Sequence, residues 1–86
     1  MELSVFSIRD KSLQEFYRPS FDQNDKVAAR SFGDLIASPE GLVAKHPEDF
    51  CLYYLGTFDT ETGFFTQDEE PRPICEATAF KEEEER

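Results

Sequence analysis

Residues 45–63 read KHPEDFCLYYLGTFDTETG, and this stretch decides the fold. Phe50, Cys51, Leu52, Tyr53, Tyr54 and Leu55 form an apolar, aromatic run, the composition of a strand that packs on a core. Gly56-Thr57-Phe58-Asp59 extends it. Thr60-Glu61-Thr62-Gly63 then offers a four-residue turn, with glycine where a left-handed backbone is wanted. Gly63 to Gln67 supplies the return strand of a β-hairpin. Ahead of the hairpin, His46-Pro47-Glu48-Asp49 reads as a turn or a helix cap within a connector over 39–49, with a single helical turn possible at 42–45.

Upstream, residues 3–9 (LSVFSIR) are rich in apolar and β-branched side chains and predict a strand, with Leu3, Val5 and Ile8 toward the core. Val5 and Phe6 are neighbours that point to opposite faces, which suits a strand covered on both sides. Residues 10–22 contain Arg18-Pro19. Proline cannot donate to a ladder and pushes Arg18 toward extended geometry, so this segment predicts an irregular arm unusually rich in aromatics. A helix then opens near Asp22–Asp25, where Asn24 or Asp22 can cap it and Asp25 suits its positive end. Ala28, Phe32, Leu35 and Ile36 form its buried stripe, and Pro39 and Gly41 end it. Asp68 to Pro73 predicts a loop. Residues 74–80 predict a final short strand, with a helix allowed by Glu-Ala-Thr-Ala. The expected fold is α+β: a mostly antiparallel sheet in the order β-α-β-β-β, with one main helix packed across it. Residues 1–80 are expected to form one domain and 81–86 (KEEEER) an acidic, flexible tail.

The chain has 86 residues, nineteen acids against nine bases, and a net charge of −10. A chain this short buries only roughly 60–65% of its surface on folding, so self-association would help it. The charge is uneven. Residues 1–36 carry five bases and six acids, whereas 37–86 carry four bases and thirteen acids. Bulk electrostatics therefore oppose nucleic acid, and any DNA contact needs a local basic and aromatic patch. Arg9, Lys11, Phe16, Tyr17, Arg18, Lys26 and Arg30 supply the candidates. Aromatic rings stack bases, each for roughly 1–3 kcal/mol, while the cations hold phosphates. Against this stands core packing, which small domains need their aromatics to supply. Tyr53, Tyr54 and Phe58 on the hairpin are candidates for a partner surface, a homo-oligomer being the first choice.

Cys51 and Cys75 are the two cysteines and His46 the single histidine. They share no metal-ligand spacing, and two reduced, packed thiols are expected. Asp59 and Glu61 are ordinary turn residues without the ligand array of a calcium loop. No cofactor, metal or enzymatic activity is expected, since no nucleophile–base pair or phosphate loop is visible. No apolar run reaches membrane-spanning length, and the N-terminus lacks a signal-peptide pattern.

Five blocks, in order, resemble the small nonstructural protein of gokushoviruses, microviruses with single-stranded DNA genomes. They are Phe16-Tyr17-Arg18-Pro19 with Phe21; Asp25 with Ala28-Ala29-Arg30-Ser31-Phe32; His46-Pro47-Glu48-Asp49-Phe50; Leu52-Tyr53 with Leu55-Gly56-Thr57-Phe58-Asp59; and Thr62-Gly63. The resemblance runs from about residue 3 to residue 67, with a looser match near Ile74-Cys75. It implies a nonstructural phage protein in the host bacterial cytoplasm, serving viral DNA replication or packaging by binding single-stranded DNA. A protein–protein module is the alternative. It would engage the viral replication or procapsid machinery, or imitate DNA against a host protein, through the acids at Asp68–Glu70 and Glu82–Glu85.

Overall fold

The computed structural model describes residues 1–84, with side chains through Phe80. Its backbone is a five-stranded, wholly antiparallel sheet with helices on one face, an α+β fold. β1 (Glu2–Asp10) pairs along its whole length with β4 (Phe50–Asp59). The hairpin partner β5 (Phe65–Glu76) lies on the far side of β4. The other edge of β1 is shared by two short strands, β2 (Glu15–Phe16) against Arg9–Asp10 and β3 (Ser20–Asp22) against Ser4–Phe6.

The arm over 10–22 is thus part of the sheet, not an irregular loop. Asp10 makes this possible. Its carboxylate accepts from the Ser12 and Leu13 amides and the Ser12 hydroxyl, which closes the turn into β2. Tyr17 N–H donates to Ile8 and Ser7 Oγ donates to the Tyr17 carbonyl, so the backbone stays tied to β1 between the two short strands. Pro19 interrupts the edge where it lacks a donor.

Helix α1 (Asp25–Ala37) starts where Asn24 Oδ1 accepts from Val27 N–H at 2.9 Å. It buries Ala28, Phe32 and Ile36, an i, i+4, i+8 stripe. Leu35, expected in that stripe, is 42% exposed because the contact with the sheet is only one row wide. A short helix α2 (Leu42–Lys45) and a 3₁₀ turn (Pro47–Asp49) lead into β4. Together with Phe6, Phe50 and Leu52 from the sheet, Val43 and Ala77 complete a single core on this face.

Two expectations in the C-terminal third are corrected. Residues 68–73 lie within β5 rather than in a separate loop, and 77–84 form helix α3 (Ala77–Glu84) rather than a strand. Helix wins because it turns Ala77 and Phe80, three apart, to the same side, where Ala77 joins the core and Phe80 meets α1. Ala77 is fully buried, and Phe80 packs edge-on against Phe32 with centroids 6.0 Å apart and seats over Gly33. The acidic tail expected at 81–86 falls outside the described side chains, and Glu85 and Arg86 lie outside the described residues altogether.

Candidate nucleic-acid interface

In an antiparallel ladder, directly paired residues share a face, so the register sorts every strand residue. Phe6, Ile8, Phe50 and Leu52 face the helices. Val5 and Leu3, expected on that side, face the other way. Val5 pairs with Gly56 and Phe21, and Leu3 with Phe58. Arg9 pairs with Cys51 and with Phe16, and Ser7 with Tyr53. This second face carries no helix among the described residues. It is paved instead with aromatic rings.

A β-bulge arranges them. Phe6 pairs with Tyr54 but Val5 with Gly56, so Leu55 is an extra residue and the alternation of β4 reverses there. Tyr53 and Phe58, five apart, consequently share the uncovered face. Tyr54 does not join them. It lies on the helix side, edge-on to Phe6 and beneath the Arg72 guanidinium at 4.5 Å. Arg72 also meets Asp25 at 3.4 Å. Gly56 permits the reversal. Its φ is +155°, and a Cβ there would strike the Thr66 carbonyl oxygen of β5.

The uncovered face has two ends. At one, the Phe16 and Tyr53 rings meet edge-on at 5.4 Å, and the Arg9 guanidinium lies 5.1 Å from the Phe16 centroid. Lys11, at the strand end, holds Glu76 at 2.9 Å. The hydrogen bond to Glu76 raises the Lys11 pKa. Arg18 follows β2 on the same edge and, like Arg9, forms no ion pair among the described residues. At the other end, Phe21, Phe58 and Phe65 form an aromatic cluster with centroid separations of 4.8–6.2 Å. Val5, Pro19 and Phe65 help to line a shallow hollow of about 230 Å³ beside it.

Of the seven residues singled out for DNA, the structure therefore gathers Arg9, Lys11 and Phe16 at this end, with Arg18 exposed on the adjoining edge. Tyr17, next to Phe16 on the strand, turns to the helix side and packs edge-on against buried Phe50 at 6.0 Å. Lys26 and Arg30 are exposed on α1, across the core from the aromatic face. Phe21 and Phe65 belong to the face and were not among the candidates. Their alternation with polar neighbours in Ser-Phe-Asp and Phe-Thr-Gln was the available signal.

The acids occupy separate ground. From Gln67 to Arg72, β5 advances five residues while β4 moves only from Gly56 to Tyr54. Asp68, Glu69, Glu70 and Pro71 are looped out of the ladder and exposed. Their separation from the pairing explains why the sequence looked like a loop.

Cys51 and Cys75 are free thiols on consecutive rungs, opposite Glu76 and Leu52, so they point to opposite faces. Burial, with Glu76 adding to it, pushes Cys51 up to about 11, and burial also raises Cys75. Neither is an activated nucleophile. His46, Glu48 and Asp49 bring ligand atoms within 4.8 Å of one another, but His46 and Glu48 are exposed and belong to the turn into β4. No helix of the described residues is long and apolar enough to cross a membrane.

These features define a small α+β protein with helices on one sheet face and an aromatic array on the other. The chain belongs to the Phage ORF5 protein family, whose model matches residues 3–80. No curated protein and no solved structure matches it.

Proposed function

We propose that this phage protein is a non-enzymatic accessory factor of viral single-stranded DNA replication or packaging, acting in the host bacterial cytoplasm by binding single-stranded DNA. The gokushovirus-like sequence blocks support the biological setting. The observation that carries the binding mode is the cation-bearing end of the uncovered sheet face, where Phe16 and Tyr53 lie beside Arg9, with Lys11 at the strand end and Arg18 two residues along the chain from Phe16. Rings on an open sheet accept bases without reading sequence, and flanking cations take the phosphates. The face is local, and its ladder positions carry one acid, Glu76, which sits opposite Cys51 and holds Lys11; the rest is free of acids, which is the condition a chain of net charge −10 must meet to approach DNA.

Fluorescence anisotropy of labelled oligo(dT) at two salt concentrations tests this. Binding that weakens with salt, and that Tyr53→Ala and Arg9→Ala reduce with the fold intact, is expected. Absence of binding at low salt refutes it. The second reading has its own observation, the looped-out Asp68–Glu70 segment on β5. It suits a basic protein of the replication or procapsid machinery, or DNA mimicry, and predicts retention by such a partner that is lost on neutralising those acids.

A further inference from the structure

We infer that the uncharged end of the open sheet face, with the Phe21, Phe58 and Phe65 rings and the hollow at Gly56, holds further bases of the same single strand whose phosphates the cation-bearing end anchors. This second subsite rests on the proposed DNA binding and extends it.

Register makes the face one continuous track. The outward positions of β1 are Arg9, Ser7, Val5 and Leu3, and they run from one end to the other. Phe16 stands beside Arg9, Tyr53 beside Ser7, Phe21 and Gly56 beside Val5, and Phe58 beside Leu3, with Phe65 next to Phe58. Six residue steps of about 3.4 Å give a track about 20 Å long. Successive nucleotides of a stacked strand also advance by about 3.4 Å, so the track spans roughly six of them, and fewer of an extended strand. That is within the range of about 4–16 nucleotides that single-strand sites on OB folds cover. The cation-bearing end takes up the first part of the track, and a strand anchored there runs on across the second.

Gly56 shapes the middle of it. In the row Val5–Gly56–Gln67 it contributes no side chain, and a hollow of about 230 Å³ opens there, with Pro19 and Phe65 among its walls. Gln67 lines the same hollow and carries both a donor and an acceptor for a base edge. Rings, a pyrrolidine and a carboxamide are surroundings that suit a planar, partly polar base.

Charge admits the strand here without anchoring it. The outward ladder positions at this end are Leu3, Val5, Phe21, Gly56, Phe58, Phe65 and Gln67, and none is charged. Glu2, Asp22 and Asp59 sit at the same end, yet alternation turns them to the helix side, where Asp22 pairs with Ser4 and Glu2 with Asp59. The looped-out acids begin at Asp68, next to Gln67, and keep phosphates away from the β5 edge and toward β3. This end therefore contributes stacking, and the other end contributes the charge.

The exposed area suits bases better than a second protein surface. Phe21 and Phe65 are 43% and 64% exposed. Taking about 200 Å² for a whole ring residue, they offer about 210 Å², about a quarter of the roughly 800 Å² that each partner of a standard interface contributes.

Anisotropy titrations with labelled oligo(dT) of about ten nucleotides, enough to cover the track, test the inference with Phe65→Ala, Phe65→Leu, Tyr53→Ala and Arg9→Ala. Both Phe65 variants should weaken binding by roughly five- to 150-fold, the effect of losing one stacked base, as Tyr53→Ala should. They should leave the slope of log K against log salt unchanged, whereas Arg9→Ala should reduce it by about 0.7. Phe65→Leu keeps apolar bulk on the face and secures the test should Phe65→Ala lose its far-UV circular dichroism. Parental affinity in Phe65→Leu, with Tyr53→Ala and Arg9→Ala weakened, overturns the second subsite and leaves the cation-bearing end standing. No binding by the unmodified chain at low salt overturns both. Parental affinity in Phe65→Leu together with loss of a dimer seen by sedimentation equilibrium also overturns the second subsite, and assigns these rings to a second copy.

Discussion

Glu76→Gln should strengthen DNA binding, because Glu76 occupies the ammonium of Lys11 at 2.9 Å. With that pair intact, Arg9 and Arg18 are the cations of this end left for phosphates. Each phosphate contact on a single strand contributes about −0.7 to the slope of log K against log salt, giving about −1.4 for two contacts and about −2.1 once Lys11 is freed. The carboxylate would also stand ~5 Å from a phosphate held by Lys11. A repulsion of about 0.8 kcal/mol in a water-like dielectric corresponds to about fourfold in affinity at low salt. Screening over a Debye length of about 8 Å halves that energy and leaves about twofold at physiological ionic strength. Both side chains are about half exposed, and pairs of this kind contribute about 1 kcal/mol or less to stability, so the variant should fold normally. Anisotropy titrations at four or more salt concentrations, with Lys11→Ala in both backgrounds, form a double-mutant cycle. Lys11→Ala should matter little in the unmodified chain and should abolish the gain in the Glu76→Gln background. Unchanged slope and affinity in Glu76→Gln would refute the assignment of Lys11 to the DNA surface.

Gly56→Ala should abolish folding, since the added Cβ meets the Thr66 carbonyl and the backbone is at φ +155°; urea melts of the purified variant would reveal this, and a stability within about 1 kcal/mol of the parent would contradict the bulge geometry. Phe6→Ala, at a side chain with no exposure, should cost roughly 3–5 kcal/mol in the same melts, a large share of the about 4–13 kcal/mol expected for a chain of this length. Asp10 is held below its ordinary value of 3.8 by the Ser12 hydroxyl, with the Leu13 and Ser12 amides assisting, and Asp59 by the Glu61 and Thr62 amides. Both lie lower in the folded chain than in the unfolded one, so their stabilisation is complete above about pH 4 and is lost as pH falls through 3.8 and below; Asp10→Asn should flatten that decline in denaturation midpoints measured against pH. Cys51, raised to about 11, should react with a thiol reagent at pH 8 far more slowly in the native chain than in denaturant.

Much of the fold was legible because its signals are local. Asn24 capping α1, Gly63 at φ +79° in the hairpin turn, and the apolar run at 50–55 each act within a few residues, and each is found where the pattern placed it. The misplaced elements depend on what they pair or pack with. The short strand β2 folds back on residues only five to seven positions earlier, and β3 joins it because β1 has a free edge, a pairing that Arg18-Pro19 hides in the sequence. Helix α3 exists because Phe80 finds Phe32 and Gly33 on α1, far away in the chain.

The candidate surface divides in the same way. Aromatic and basic residue types at 9–21 marked the region, but their faces followed from register. Strict alternation would have put Tyr54 with Phe58; the extra residue Leu55 puts Tyr53 there instead and turns Tyr54 under Arg72. By itself the sequence determined the α+β class, the hairpin, the capped helix, the charge that disfavours bulk DNA attraction and the aromatic and basic residue types of the candidate surface. Only the tertiary structure decided which rings share a face, that Lys11 is held by Glu76, and that Lys26 and Arg30 lie across the core. The reason is physical: a strand's side chains alternate locally, but a single bulge, selected by the pairing of strands far apart in the chain, reverses every assignment beyond it.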